Sequence, residues 1–239
     1  MNYIICAYNI AEEIEANLLK LGVIPVKLRG FDRFGQFHPL SYHPDMFCFN
    51  LTENKWIFYD DIYKINKNII DNLNLNITIA ENPKSCEYPR DVGLNAAMFG
   101  NNLICNTKYT DKKILEYANQ TGKNIIGVKQ GYAKCSVCIV DENAIITSDI
   151  SIYYKSLQNK IDVLLIEKGH IDLDGYNYGF IGGCSGLISQ DIMAFTGNIE
   201  LHPNYCDIKN FCEGRGVEVV SLSHKKLYDY GSLFRIGNI

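Results

Sequence analysis

The chain has 239 residues, of which 47% are hydrophobic and 21% charged, and a formal net charge of -4 at pH 7. This balance is typical of a soluble globular protein and lacks the basic surface that attracts nucleic acids or acidic membranes. No apolar run reaches the roughly 18 residues of a transmembrane helix, and residues 1–8 lack the basic start of a signal peptide. Nine cysteines without an export signal predict free thiols in a reducing, cytoplasmic compartment.

Hydrophobic periodicity predicts a recurring order of elements: a helix, a strand, a polar loop and two short strands. Helices are predicted at residues 11–21, 61–73, 111–120, 149–158 and 204–213. Strands are predicted at residues 2–8, 23–28, 46–51, 56–59, 77–80, 92–98, 103–105, 125–128, 135–140, 144–147, 162–166, 184–189, 192–195, 217–222 and 233–236. Asn9, Asp111 and Asp149 precede helices and are predicted to cap them, because their side chains can accept from free amides of the first turn.

A polar loop stands before each pair of short strands, and these loops hold the densest reactive side chains. The longest contains His170, Asp172, Asp174 and Cys184 between two apolar runs. A polar, glycine-bearing loop between buried strands is more often functional than not. The other loops contribute His38, His43 and Asp45; Glu87, Tyr88, Arg90 and Asp91; Tyr132, Lys134 and Cys135; and His224, Lys225, Tyr228 and Asp229.

The spacing of these loops is nearly constant. When the five predicted units are aligned, one equivalent position holds Asp45, Asp91, Cys135, Cys184 and Ser232. These residues are separated by 46, 44, 49 and 48 residues. Such a period is typical of repeat architectures, and the spare first strand could complete the last unit. We therefore predict one α/β domain over residues 1–239, a closed five-bladed propeller of ββαβ-type units of about 48 residues. The alternative is an open α/β sandwich.

In a closed ring, the loops of all units would face a common axis. The sequence predicts a binding site for a small polar molecule there. Its predicted binding residues are His43, Asp45, Arg90, Asp91, Tyr132 and Lys134. The alternative is that these loops are polar only because water covers them. Nucleic-acid and membrane partners are not expected, and an oligomer is compatible with the sequence.

Three short motifs follow one another along the chain. They are Tyr88-Pro-Arg-Asp91, which is followed by a strand and Gly100-Asn-Asn-Leu-Ile; His170-Ile-Asp172; and Gly182-Gly183-Cys184. In this order, and with five predicted units, they resemble the guanidino-group-modifying enzymes, which include arginine and agmatine deiminases, dimethylarginine dimethylaminohydrolases and amidinotransferases. The first motif resembles the Arg-Asp segment whose aspartate grips the substrate guanidinium. The second resembles the family's His-x-Asp pair, and the third its glycine-led nucleophilic cysteine.

The resemblance implies a hydrolase or transferase that acts on a C–N bond of a guanidine or amidine. Cys184 would form a covalent amidino-thioether, and His170 would move protons. The carboxylates of Asp91 and Asp172 would neutralise the substrate cation. No cofactor is implied by this chemistry.

The chain departs from the family pattern at two positions. Gly131-Tyr-Ala-Lys134 stands where the family carries a Glu-Gly-Gly-Asp-like segment, and an ammonium there would repel a guanidinium. Ser232 stands where the nucleophile is expected in the fifth unit, whereas Cys184 belongs to the fourth. These departures favour the alternative of a non-catalytic or repurposed protein of the same fold that binds a small polar ligand. A structural or interaction module is the third interpretation.

Two patterns are similar to metal sites, and neither predicts one. Cys135 and Cys138 are three residues apart in a predicted strand, where their side chains would face opposite sides. Asp172-Leu-Asp174-Gly175 begins like a calcium loop but lacks the third acidic position and the terminal glutamate. We therefore expect no bound metal.

Overall fold

The computed structural model describes residues 2–30, 38–82, 85 and 87–237. The strands are β1 (Asn2–Ala7), β2 (Val23–Leu28), β3 (Cys48–Asn50), β4 (Lys55–Phe58), β5 (Asn76–Ile79), β6 (Ala97–Phe99), β7 (Asn102–Cys105), β8 (Asn124–Gly127), β9 (Cys138–Ile139), β10 (Ala144–Thr147), β11 (Asp162–Leu165), β12 (Ser185–Leu187), β13 (Ile192–Phe195), β14 (Glu218–Ser221) and β15 (Phe234–Ile236). The α-helices are α1 (Glu12–Lys20), α2 (Asp60–Ile70), α3 (Lys112–Gln120), α4 (Ala133–Ser136), α5 (Ile150–Gln158) and α6 (Tyr205–Glu213). Single turns of 3-10 helix lie at Pro39–Tyr42, Pro44–Met46, Asp71–Leu73, Arg90–Val92 and Ile199–Leu201.

The strands form five three-stranded sheets with the same internal order. The sheets are β15-β1-β2, β3-β4-β5, β6-β7-β8, β9-β10-β11 and β12-β13-β14. In each, the first pair of strands is antiparallel and the second pair is parallel. A helix connects the two parallel strands, since a parallel pair needs a crossover connection. The mixed α/β class expected from the sequence is therefore present, and none of the sheets closes on itself.

The first sheet joins strands from the two ends of the chain. Tyr3 of β1 pairs with Ile236 of β15, and Ile5 pairs with Phe234, both antiparallel. On its other side β1 pairs in parallel with β2. The pairing of the first strand with the last, expected from the sequence, is present.

Each connecting helix buries side chains four residues apart. This spacing places them on one face of the helix, against the sheet. The buried side chains are Ile14 and Leu18; Ile62, Asn66 and Ile70; Ile114 and Ala118; Ile152 and Ser156; and Ile208 and Cys212. Two of the predicted caps are confirmed, because Asp111 accepts from the amide of Lys113 and Asp149 accepts from the amides of Ser151 and Ile152. Asn9 does not cap α1, whose N-cap residue is Ala11.

Apolar clusters pack neighbouring sheets together. One cluster contains Ile5 of β1, Ile57 of β4 and Leu103 of β7. A second contains Ile104 and Ile145, and a third contains Ile146 and Met193. A fourth contains Ala194 of β13 and Ile4 of β1. Central strands such as β7 and β10 are buried on both faces, as expected for strands with a neighbouring sheet on each side.

Two predicted strands are wrong in extent. The prediction at residues 92–98 begins too early, because Arg90–Val92 forms a 3-10 turn and β6 starts at Ala97. The prediction at residues 135–140 fails at its start, because Cys135 lies in α4 and only Cys138–Ile139 forms a strand. Oδ1 of Asn95 in the first segment accepts from the backbone amides of Lys134 and Cys135 in the second, which gives these amides a partner other than a strand. The predicted loops at 29–44 and 81–91 lie partly outside the described residues.

The cysteines in the described part of the chain are free thiols, and all except Cys206 are buried. Cys86 lies outside the described residues. Across residues 2–30, 38–82, 85 and 87–237, no helix is long and apolar enough to cross a membrane. The same residues contain no group of His, Cys, Asp or Glu side chains that could hold a metal ion.

Candidate functional site

Two cavities border a cluster of buried polar side chains. The smaller, here called the tyrosine cavity, has a volume of about 230 Å³ and is lined by Leu40, Tyr132, Cys135, Leu173, Tyr176, Asn177, Tyr178, Phe180 and Asp229. The larger, here called the wide cavity, has a volume of about 640 Å³, and its wall includes Asn50, Glu53, Lys134, Ser185, Gln190 and Arg235. The adjacent residues Lys134 and Cys135 of α4 therefore contribute to different cavities.

The polar cluster consists of Asp45, Asn95, Lys134, Cys135 and Ser232, all buried. Oδ2 of Asp45 accepts from Sγ of Cys135 at 3.1 Å and lies 2.8 Å from Oγ of Ser232. Nζ of Lys134 donates to the same hydroxyl at 3.0 Å. Ser232 also lies 2.8 Å from the carbonyl oxygen of Gly182, so its single proton serves either that carbonyl or Asp45. These contacts connect a thiol at one cavity to an ammonium at the other.

Asn95, which lies outside the predicted polar loops, links the members of this cluster. Its Oδ1 accepts from the backbone amides of Lys134 at 2.8 Å and Cys135 at 3.3 Å. Its Nδ2 donates to the carbonyl oxygen of Asp45 and to Sγ of Cys135, each at 3.1 Å. An asparagine within the apolar run 92–98 is the signal that could have identified it, since a buried amide needs partners.

The surroundings of Asp45 and Cys135 raise the pKa of both groups. Burial raises the pKa of Asp45, and the nearby Asp229 raises it further, while His43 and Lys134 act in the opposite direction. Burial also raises the pKa of Cys135 well above its ordinary value, with further contributions from Asp45 and Asp229. The Cys135 thiol is therefore protonated at neutral pH and donates its proton to Asp45.

Asp229 is the carboxylate on the wall of the tyrosine cavity. Its Oδ2 accepts from the amide of Phe180 at 2.9 Å, and its Oδ1 accepts from the amide of Gly231 at 3.0 Å. Burial raises the pKa of Asp229 to about 6, so the group is mostly ionised at pH 7. Nδ1 of the buried His43 lies 3.6 Å from Oδ1 of Asp229. Gly231 has φ +77° and allows this approach, since a Cβ there would lie 2.4 Å from Cα of His43.

The predicted binding residues Arg90 and Asp91 differ in their surroundings. Asp91 is buried, and its Oδ2 accepts from the hydroxyl of Tyr132 at 3.1 Å. Tyr132 lines the tyrosine cavity, whereas Asp91 does not and is connected to the cavity wall by its hydrogen bond with Tyr132. Arg90 is exposed at the surface. The structure thus places Asp91 and Tyr132 in contact, whereas Arg90 is exposed.

Cys184, the predicted nucleophile, lies in an apolar cluster with Cys138, Met193 and Phe195. It is 0% exposed, and its Sγ donates to the carbonyl oxygen of Ile181 at 3.4 Å. Burial raises the pKa of this thiol well above its ordinary value. Cys184 lines neither the tyrosine cavity nor the wide cavity.

His170 and Asp172, the predicted partners of Cys184, contact other groups. The ring of His170 packs edge-on against His202 with centroids 5.3 Å apart, and its Nε2 lies 3.6 Å from Oε2 of Glu167. Asp172 is exposed and forms an ion pair with Lys226. In the part of the chain that the structure describes, no hydrogen bond or ion pair joins His170, Asp172 and Cys184 to one another. Their catalytic roles stay predictions.

Solved structures with the same fold come from several bacteria. DDAH from Pseudomonas aeruginosa, in complex with citrulline, has a TM-score of 0.55 and 11% identity, over 92% of this chain and 91% of that one. SxtG, an amidinotransferase from Microseira wollei in saxitoxin biosynthesis, has a TM-score of 0.58 and 10% identity, over 96% and 80%. Agmatine deiminase from C. jejuni has a TM-score of 0.54 and 10% identity, over 99% and 81%. These likenesses show that the chain shares its fold with those three proteins.

No curated protein matches this chain. A family model described as "Family of unknown function (DUF6873)" matches residues 5–234. The match includes the polar cluster, the wall of the tyrosine cavity and the wall of the wide cavity except for Arg235. The chain therefore belongs to the DUF6873 family, whose function is unknown.

Proposed function

We propose that this protein binds a small organic cation of the guanidine or amidine type in the tyrosine cavity. The observation that carries the proposal is a buried carboxylate, Asp229, on a wall otherwise made largely of aromatic and aliphatic side chains. Carboxylates form strong, often bidentate hydrogen bonds with planar guanidinium groups. Aromatic faces attract cations as well.

The geometry of Asp229 suits this role. Each of its oxygens already accepts one backbone hydrogen bond, which holds the carboxylate in place. A carboxylate has about four acceptor positions, so others are available to a ligand. The cavity is smaller than the roughly 300 to 1,000 Å³ of drug-binding pockets, which favours a compact ligand.

The position of Lys134 removes an objection to a cationic ligand. The ammonium expected to repel a guanidinium lies on the wall of the wide cavity and donates to Ser232. It is not among the residues that line the tyrosine cavity. The carboxylate of Asp229 is therefore the charged group on the wall that a ligand would meet.

The proposal includes a closed, pseudo-fivefold arrangement of the five sheets around these cavities. In support, the apolar clusters connect each sheet to the next and β13 back to β1. The polar cluster also joins segments that precede four different sheets. The fold adds further support, because similar structures carry the names amidinotransferase and agmatine deiminase.

A second candidate function is hydrolysis of, or transfer from, a C–N bond of the bound cation through a cysteine. Cys135 favours it, because its thiol lines the tyrosine cavity whereas that of Cys184 does not. A cation bound beside Cys135 would lower the pKa of the thiol and offset the effect of the carboxylates. The thiolate would then attack the amidinium carbon while the thiol proton leaves with the departing amine.

Binding is tested by titrating the full chain with guanidine, amidine and amino-acid ligands by calorimetry. Asp229→Asn is expected to weaken the affinity for a guanidinium about tenfold or more, since a charge-assisted hydrogen bond is lost. The matched control is Asp172→Asn, which alters an exposed carboxylate outside the cavity and is expected to bind normally. Equal affinity of Asp229→Asn and the unmodified protein would overturn the proposal.

The second candidate is tested with a haloacetamidine, which combines an amidinium with an electrophilic carbon. Mass spectrometry of peptides is expected to find the adduct on Cys135 before it is found on Cys184, and excess guanidinium is expected to protect it. An adduct first on Cys184 would return the nucleophile to its predicted position. Equal labelling of all thiols would rule out the covalent function and leave binding intact.

A further inference from the structure

The wide cavity contains a buried cationic group that the proposed function does not use. Lys134 is 8% exposed. Its Nζ lies 3.0 Å from Oγ of Ser232, 3.5 Å from the carbonyl oxygen of Gly182 and 5.2 Å from the ring centroid of Phe234. An ammonium has three donors, and these hydrogen-bond partners are neutral.

No ion pair joins Lys134 directly to a carboxylate of the described residues. Asp45 is separated from the ammonium by Ser232, and burial raises the pKa of Asp45, which disfavours its charged form. A buried ammonium is costly unless it is paired and fully hydrogen-bonded. An anion that enters the wide cavity could supply the missing partner.

Acidic residues on the cavity wall already have cationic partners in two of three cases. Glu53 pairs with Arg235, and Oδ2 of Asp141 lies 3.5 Å from Nε of Arg215. Glu142 is exposed. These charges oppose a multiply charged anion more strongly than a singly charged one. The wall also presents the apolar side chains of Met98, Leu187 and Phe234, which suit a hydrocarbon group.

We infer that the wide cavity binds a small organic monocarboxylate whose carboxylate group is held by Nζ of Lys134. Asn50 and Gln190 provide neutral polar groups on the same wall. The hydrocarbon part of the ligand contacts Met98 and Leu187. The carboxylate belongs either to a simple acid or to an α-amino acid whose ammonium faces Glu142. This site is independent of the tyrosine cavity and of the cation proposed there.

Calorimetric titration of the full chain with butyrate, α-aminobutyrate and inorganic phosphate, at constant ionic strength, tests the inference. Butyrate or α-aminobutyrate is expected to bind, and phosphate to bind more weakly. Lys134→Met is expected to weaken carboxylate binding about tenfold or more, as the loss of a charged hydrogen bond implies. The Lys134 charge lowers the pKa of Asp229, so this variant is compared well above pH 7, where Asp229 is ionised with or without that charge. There it is expected to keep its response to guanidinium, because the wall of the tyrosine cavity is unchanged.

Met98→Trp provides a second route if Lys134→Met does not fold. The larger ring would occupy the wide cavity and is expected to block carboxylate binding while leaving guanidinium binding unchanged. Tighter binding of α-aminobutyrate than of butyrate would assign the α-amino acid form, and the reverse would assign the simple acid. Preference for phosphate, or equal carboxylate affinity in both variants and the unmodified protein, would overturn the inference.

Discussion

Cys135 and Cys184 each stand just before the antiparallel pair of a sheet, yet their surroundings differ. Cys135 contacts the carboxylate of Asp45 and the amide of Asn95, and it lines the tyrosine cavity. Cys184 belongs to an apolar cluster with Cys138 and Met193 and lines neither the tyrosine cavity nor the wide cavity. Glycines precede Cys184 in the sequence, and none directly precedes Cys135. Partners from distant segments, rather than flanking residues, therefore distinguish the two thiols.

The largest expected effect comes from Gly182, which lies where the Cys184 segment packs against the backbone of the Cys135 segment. A Cβ on Gly182 would lie 2.3 Å from the carbonyl oxygen of Val137 and 2.4 Å from that of Lys134. Both atoms belong to the backbone and cannot move aside cheaply. Gly182→Ala is expected to lower the free energy of unfolding by about 3 kcal/mol or more, measured by urea denaturation.

Gly127→Ala is the control for this substitution, because its Cβ would lie 3.6 Å from the nearest atom, in Thr107. It is expected to change the free energy of unfolding by about 0.5 kcal/mol or less. Similar losses in the two variants would show that the close contact at Gly182 is not rigid.

Serine substitutions compare the two thiols directly. Cys184→Ser places a hydroxyl among apolar side chains and is expected to cost about 2 kcal/mol of stability. Cys135→Ser keeps a donor for Asp45 and is expected to change stability by about 0.5 kcal/mol. Thermal unfolding of both variants at one pH measures the difference. The opposite order would mean that Cys184, not Cys135, has the polar surroundings.

The pH dependence of cation binding tests whether Asp229 attracts the ligand in the tyrosine cavity, which Cys135 also lines. The pKa of Asp229 is raised to about 6, and a cation favours the ionised form. Affinity for guanidinium is therefore expected to fall about tenfold as pH falls from 7 to 5, since the protonated carboxyl no longer attracts the ligand. Calorimetry across this range should show the fall in the unmodified protein. Asp229→Asn, which has no proton to gain, should show a flat profile at lower affinity.

The smallest effect is expected at Asp172, a predicted partner of Cys184. Its ion pair with Lys226 is exposed, with relative side-chain exposures of 53% and 48%. Such pairs contribute little, so Asp172→Ala is expected to change stability by about 0.5 kcal/mol or less and guanidinium affinity not at all. A large loss of affinity in calorimetry would instead restore Asp172 to the binding site.

The helices and the order of elements along the chain could be predicted from the sequence because they depend on local pattern. Buried residues four apart in the connecting helices, such as Ile114 and Ala118, repeat a period visible without a structure. Asp111 and Asp149 cap their helices by accepting from backbone amides only two or three residues further along the chain. The strand predicted from local pattern at Cys135 is wrong, because Asn95 from another segment accepts from the backbone amides of Lys134 and Cys135.

The candidate site was harder to predict, since its contacts join distant residues. Asp45, Lys134 and Tyr132 were selected from their loops, and the structure places them in the polar cluster or on a cavity wall. Asn95 was missed because its run reads as an ordinary apolar strand. The sequence also does not indicate that Cys184 belongs to an apolar cluster rather than to a cavity wall, because the side that a strand-end thiol faces depends on packing against the next sheet.

The pairing of β1 with β15 has a consequence for folding in the cell. β1 is synthesised long before β15, so one edge of the growing first sheet lacks its antiparallel neighbour until the last strand has emerged. An open strand edge invites pairing with other chains, and a contact between the two ends of a sequence is slow to form. Chaperone dependence and aggregation during synthesis would therefore be most sensitive to events at the final strand, far from either cavity in the order of translation.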